Sequence, residues 1–227
     1  IASRMAGMDE AYARSLAEVQ KRYHGSGDLA SAIAQEVRKI RSIHKGRALE
    51  GRELTRGQEF FLRGMYRARA RRFASSAADL EAAVRLDPSL GPGGAFRLLY
   101  QIATHQKDET AALEVLRKWE AAAPDNTTVQ NGLAWTMLTA EDRALRDPAS
   151  ALEHARRAAD LTEHKNAQIL DTLALALFEN GKVDEAIATQ RKAIALLPEN
   201  TTRKDRRAYE ERLERFERAL EKETSAP

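Results

Sequence analysis

The 34 residues from Ala167 to Asn200, AQILDTLALALFENGKVDEAIATQRKAIALLPEN, hold two helical segments, neither of which can bury its apolar surface alone. Leu170, Leu173, Ala174 and Leu177 recur at helical spacing on one face of a first helix. Ala186 and Ala193 supply small contacts on a second, and Gly181 and Pro198 end the two segments. A hairpin that is apolar on more than one face needs neighbours of its own kind, so the chain has to be a stack of helix pairs. Weaker copies precede this unit. Gly64 goes with Ser76, Ala83 and Pro88, Tyr100 with Ala112 and Pro124, and Ala134 with Ala151 and Ala158. The first-helix positions Gly64, Tyr100, Ala134 and Ala174 follow one another at 36, 34 and 40 residues. The longest interval contains an insertion, AEDRALRD, Ala140 to Asp147, whose last residue suits an N-cap with Pro148 as the first helical position.

The last unit resembles the tetratricopeptide repeat, whose period of about 34 residues and whose Gly, Ala and Pro positions it matches. The run NGLAWTMLTAEDRALRDPASALEHARRAADLT resembles a variant of that repeat common in large bacterial proteins. The resemblance covers about two thirds of the chain. It implies an all-α fold, an α-solenoid of about four hairpins over 57–90, 93–126, 127–164 and 167–200. A capping helix and tail over 201–227 close the stack, because Tyr209, Leu213, Phe216 and Leu220 make one apolar line on an otherwise charged segment.

The resemblance also implies a non-enzymatic scaffold whose first helices line a concave groove for a peptide or a partner helix. Carried onto this sequence, the groove comprises Phe61, Met65 and Arg69, then Arg97, Gln101 and His105. Asn131, Trp135 and Leu138 follow from the third copy, and Asp171, Leu175 and Phe178 from the fourth. Trp135 and Phe178 are the sharpest candidates for anchors, since desolvated aromatics dominate binding energetics; the alternative is that both belong to the core. The clamp by which chaperone-binding relatives hold a C-terminal carboxylate is not reproduced, Asn131 and Arg97 matching it in type only.

Residues before Arg52 do not follow the repeat. Met5, Met8, Tyr12, Leu16, Val19 and Tyr23 form one apolar stripe, and Leu29, Ile33, Val37, Ile40 and Ile43 form another. With HGSGD between them and Asp28 as N-cap, residues 1–50 read as an antiparallel helical hairpin, joined to the repeats by Gly51 to Gly57. YARSLAEVQKRYHGSGDLASAIAQEVRKI resembles helical hairpins of planctomycete and related bacterial proteins. Such a hairpin packs on the first repeat or on another copy of itself, or serves as a partner-binding arm.

The formal charge of +3 conceals an asymmetry: residues 1 to 75 hold 16 Lys and Arg against 8 Asp and Glu, leaving the remainder at −5. Much of the excess lies in RGMYRARARR, where Arg63, Arg67 and Arg71 are expected to share one helix face, flanked by Arg69 and Arg72. That face suits phosphates, acidic lipids or an acidic protein, or else is a solvated surface neutralised by neighbouring acids. No nucleic-acid reading motif accompanies it.

Little in the sequence points to chemistry. His24, His44, His105, His154 and His164 form no metal-ligand spacing, and GPGG, Gly91 to Gly94, lacks the Lys-Ser/Thr of a phosphate loop and reads as a turn. The absence of Cys removes disulfides and Cys-zinc sites, and no apolar run is long enough to span a bilayer. No cofactor or metal is implied. The sequons at Asn126 and Asn200 stand where repeats begin, so capping by Asn or Thr accounts for them. A chain that begins at Ile1 reads as a processed or trimmed product, cytoplasmic or exported with any signal peptide gone. Two other functional classes stay open: a regulatory segment detached from a larger kinase- or thioredoxin-like bacterial protein, and a homo-oligomeric structural protein whose basic N-terminal part docks on the acidic C-terminal part of the next copy.

Overall fold

The computed structural model describes residues 55–224, so the hairpin expected over 1–50 lies outside the described residues. Among the described residues there are nine α-helices and no strand. The chain divides into two units, Ile1–Ile102 and Ala103–Pro227.

In the first unit α1 (Arg56–Arg69) packs on α2 (Phe73–Leu86). α1 opens with a capping box: the Thr55 hydroxyl accepts from the Gln58 backbone N–H at 3.3 Å, and the Gln58 side chain accepts from Thr55 N–H at 3.0 Å. The small residues of the repeat pattern explain themselves here. The Ser76 hydroxyl donates to the Gly64 carbonyl at 2.7 Å, and a Cβ on Gly64 would stand 2.8 Å from Leu80 Cγ, so only glycine permits this approach. Past α2, Asp87 caps a short 3-10 turn, Pro88–Leu90, and the chain bends through Gly91–Ala95, with Gly94 at φ 141°, a conformation side chains disfavour. GPGG, expected as a turn, lies in a π-helical turn, Gly91–Ala95, that leads directly into the helix beginning at Phe96 and departs from helical geometry at Gly94.

α3 (Phe96–Gln106) begins in the first unit and ends in the second. The second unit continues with α4 (Glu109–Ala122), α5 (Thr127–Thr139), α6 (Pro148–Leu161), α7 (Ala167–Glu179), α8 (Val183–Ala195) and α9 (Arg203–Thr224). Asp108, Asn126, Asp147 and Asn166 each accept hydrogen bonds from the first turn of the helix that follows. Of the two sequons, Asn126 is a cap, whereas at the second Thr202 takes that role, its hydroxyl accepting from Asp205 N–H at 3.1 Å.

Successive helices of this unit pack in order, α4 on α5, α5 on α6, α6 on α7, α7 on α8 and α8 on α9, with α5 also touching α7. Ala134, Ala151, Ala155, Ala158, Ala174, Ala186 and Ala193 are fully buried. Small side chains at these crossings set short interaxial distances, which is why the pattern demands Ala where a larger apolar residue would otherwise add buried area. Trp119 is also buried, 3% exposed, and its indole N–H has no hydrogen-bond partner among the described residues. The Ala140–Asp147 insertion is tied down at both ends. The Glu109 carboxylate accepts from the backbone N–H groups of Glu141 at 2.9 Å and Asp142 at 3.3 Å, and Arg146 Nε donates to the Ala140 carbonyl at 2.6 Å.

Tight helix–helix turns need one residue in the left-handed region, and Gly181 fills it between α7 and α8 at φ 73°. The equivalent turns use Arg71 at φ 55° and Lys107 at φ 57°, where a Cβ is strained. Arg71→Gly and Lys107→Gly are therefore expected each to raise stability, by up to about 1 kcal/mol, seen as a higher denaturation midpoint. Arg117→Gly, at an exposed position in the interior of α4, is the control and is expected to lower stability by about 1 kcal/mol.

Candidate functional site

The first-helix residues of the second unit come together with α9 around one open pocket of about 490 Å³. Its floor is apolar: Trp135 and Leu138 from α5 and Leu175 from α7. Leu138 and Leu175 are buried, but Trp135 is 38% exposed, one of few large apolar side chains left at the surface among the described residues. The rim is charged, with Arg146 from the insertion, Glu179 from the end of α7, and Glu211, Arg212 and Arg215 from α9.

α9 is held against this floor by a polar junction and an aromatic one. Arg212 lies 5.4 Å from the Trp135 ring centre, and its Nε is 3.2 Å from Asp171 Oδ1, an ion pair whose N–H is not aligned as a hydrogen bond. Gln190 Nε2 donates both to Asp171 Oδ1 at 2.7 Å and to the Tyr209 carbonyl at 3.0 Å, so one buried amide joins α7, α8 and α9. Burial pushes the Asp171 carboxyl above the ordinary aspartate range, while the Arg212 charge and the Gln190 hydrogen bond pull the other way. Tyr209 is pushed up as well, by its own burial first and by the Asp171 charge second. The aromatic junction is Phe178 on Phe216, stacked with ring centres 4.5 Å apart, and Arg215 stands 4.7 Å over Phe178 while donating to Glu179 at 2.8 Å.

The expected groove residues thus part company. Trp135, Leu138 and Leu175 line the pocket. Asp171, 7% exposed, and Phe178 lie beneath α9, engaged by it. Asn131 is half-buried on α5, its Oδ1 without a hydrogen-bond partner among the described residues. In the first unit Phe61 and Met65 are half-buried on α1, Phe61 facing Gly94, and Arg69, Arg97 and Gln101 are exposed. His105, also exposed, lies near the end of α3. The residues that sequence reasoning passed over are those of α9 and the insertion. Ala208, Glu211, Arg212 and Arg215 recur at intervals of three, one and three beside the Tyr209–Phe216 line, a second face that the periodicity already implied.

The basic segment differs from a uniform solvated face. Arg63 grips the buried Asp79 carboxylate with two nitrogens, at 2.8 and 2.6 Å, and Arg67 adds a bond at 2.7 Å. Both guanidinium groups are thereby committed to the α1–α2 contact, since an aspartate taken from water must be matched inside. Arg71 does not share their face, because α1 ends at Arg69 and Arg71 occupies the turn; Arg69, Arg71 and Arg72 are exposed. Among the described residues no group of His, Asp and Glu side chains could hold a metal ion, and no helix is long and apolar enough to cross a membrane.

No protein-family model and no curated protein matches this sequence. Solved structures do match. MamA, residues 41 to the end, from Desulfovibrio magneticus RS-1 aligns at a TM-score of 0.54 with 15% identity, covering 81% of this chain and 94% of that one. A second MamA structure aligns at 0.54 with 14% identity, over 81% and 91%. A thermophilic TPR protein from Thermus thermophilus aligns at 0.48 with 19% identity, over 72% and 82%. The chain has the all-α, paired-helix fold of the MamA structures, and at such identities the likeness concerns the fold alone.

Phe216, fully buried, is the aromatic that fastens α9, so Phe216→Ala is expected to cost about 3–5 kcal/mol in chemical denaturation. Asp171 gives a pH signature. Its native carboxyl sits above the unfolded value, so its stabilising contribution is full below the ordinary aspartate range and is lost as pH rises through the native value. The stability of the unaltered protein minus that of Asp171→Asn is expected to grow as pH falls across that window, and parallel melting curves for the two proteins would count against it.

Proposed function

We propose that this chain is a non-enzymatic scaffold of the tetratricopeptide type that takes a peptide or a partner helix on the first-helix face of its second unit. The repeats are read as 57–90, 93–126, 127–164 and 167–200, with 201–227 as the closing helix and tail. The observation that carries this reading is Trp135. A tryptophan 38% exposed, in the floor of a pocket between α5, α7 and α9, is apolar surface that folding covers only in part. Aromatics in such settings supply a large share of binding energy when a partner desolvates them. The likeness of the fold to helical-hairpin proteins supports the same class of function.

Phe178 has a different part in this reading. Stacked on Phe216, it fixes the wall of the pocket and leaves Trp135 as the anchor. The basic stretch of α1 has a structural share too, since Arg63 and Arg67 hold Asp79.

Partners captured from a lysate of the source organism and identified by mass spectrometry supply the ligand for the test. Trp135→Ala is expected to weaken its binding at least about tenfold while costing the fold well under the 3–5 kcal/mol typical of a core tryptophan. Loss of stability on that larger scale, with binding per folded molecule unchanged, would return Trp135 to the core.

A further inference from the structure

The charges around the pocket are not balanced, and the imbalance says what kind of segment fits. Of the two rim carboxylates, Glu179 is taken by Arg215 at 2.8 Å and Glu211 by Arg207 at 3.0 Å. Arg146 uses its Nε on the Ala140 carbonyl and has no carboxylate in ion-pair range among the described residues. Arg212 reaches Asp171 through Nε alone, in a contact not aligned as a hydrogen bond, and Gln190 already donates to the same oxygen. Arg146 and Arg212 therefore present terminal amino groups that make no protein hydrogen bond among the described residues, beside a floor of Trp135, Leu138 and Leu175.

We infer that the pocket's partner is a peptide segment carrying an aspartate or glutamate next to a large apolar side chain, the apolar group on Trp135 and the carboxylate between Arg146 and Arg212. This rests on the groove reading above and specifies its partner. A guanidinium offers parallel donors that match both oxygens of a carboxylate, and that of Arg212 stands 5.4 Å from the Trp135 ring centre, next to the apolar contact. The shallow apolar floor admits one or two side chains rather than a polyanion, and an arginine rim around it would leave an uncharged peptide with unmatched donors.

The probe is a random peptide library displayed on phage and selected on the purified full chain. A selected peptide and its counterpart with Glu→Gln or Asp→Asn are then synthesised for titration. The inference expects the selected peptides to share an acidic residue adjacent to Leu, Phe or Trp, with affinity falling as salt rises. Arg146→Gln and Arg212→Gln are each expected to weaken the acidic peptide about tenfold and to leave the amide counterpart unchanged. Peptides that lose binding on Trp135→Ala but carry no acidic residue would overturn this inference and leave the groove standing. Peptides indifferent to Trp135→Ala, or no selected peptide at all, would overturn both. Arg212 also holds α9, so melting curves accompany every variant. If Arg212→Gln melts early, the exposed Arg146→Gln decides the outcome, and an unchanged affinity there counts against the inference.

Discussion

Each helix pair in this chain hides one face and leaves another, and the rest of the second unit follows from that shortfall. A helix such as α7, whose residues Ile169 to Leu177 are all buried, has no solvent side for most of its length. It is stable only because α5 and α6 cover it from one direction and α8 from the other. The alanines at the crossings are the condition for that arrangement. They bring backbones close enough for Ile, Leu and Val elsewhere on each helix to close the gaps, which a larger residue at Ala174 or Ala186 would hold open.

The same shortfall gives α9 its character. The stack has to end, and the helix that ends it needs one apolar line and three charged sides. Phe216 is buried and Tyr209 half-buried on that line, while Arg207, Glu211 and Arg215 are exposed and pair along or beside the helix. Charged side chains brought there for solubility thereby become the rim of the pocket. Binding chemistry and termination of the fold are supplied by one element, at no additional cost in buried area.

The sequence made the helices and their small-residue contacts legible because both depend on spacing along the chain. Gly64 and Ser76, paired by spacing, meet through the Ser76 hydroxyl, and Ala134 and Ala151, paired likewise, are both fully buried. Trp135 was recognisable as a candidate anchor for the same reason. The charge partners were not. Arg63 and Arg67 converge on Asp79, and Arg212 reaches Asp171, across distances along the chain that no periodicity records. A basic run therefore read as one surface, when two of its members belong to an interior contact. The pocket rim is illegible likewise, because the spacing on α9 marks the face it buries, whereas Arg212 and Arg215 reach α7 and share the pocket with Arg146 of the insertion.

Gln190 has a consequence beyond the static packing. Its amide group donates to α7 through Asp171 and to α9 through the Tyr209 carbonyl, and its own oxygen has no hydrogen-bond partner among the described residues. Lifting α9 breaks the amide's bond to the Tyr209 carbonyl and separates Arg212 from Asp171 in one movement, so the polar contacts of this junction are lost together. One side chain thus ties the last three helices, so a change at Gln190 acts on α7, α8 and α9 at once.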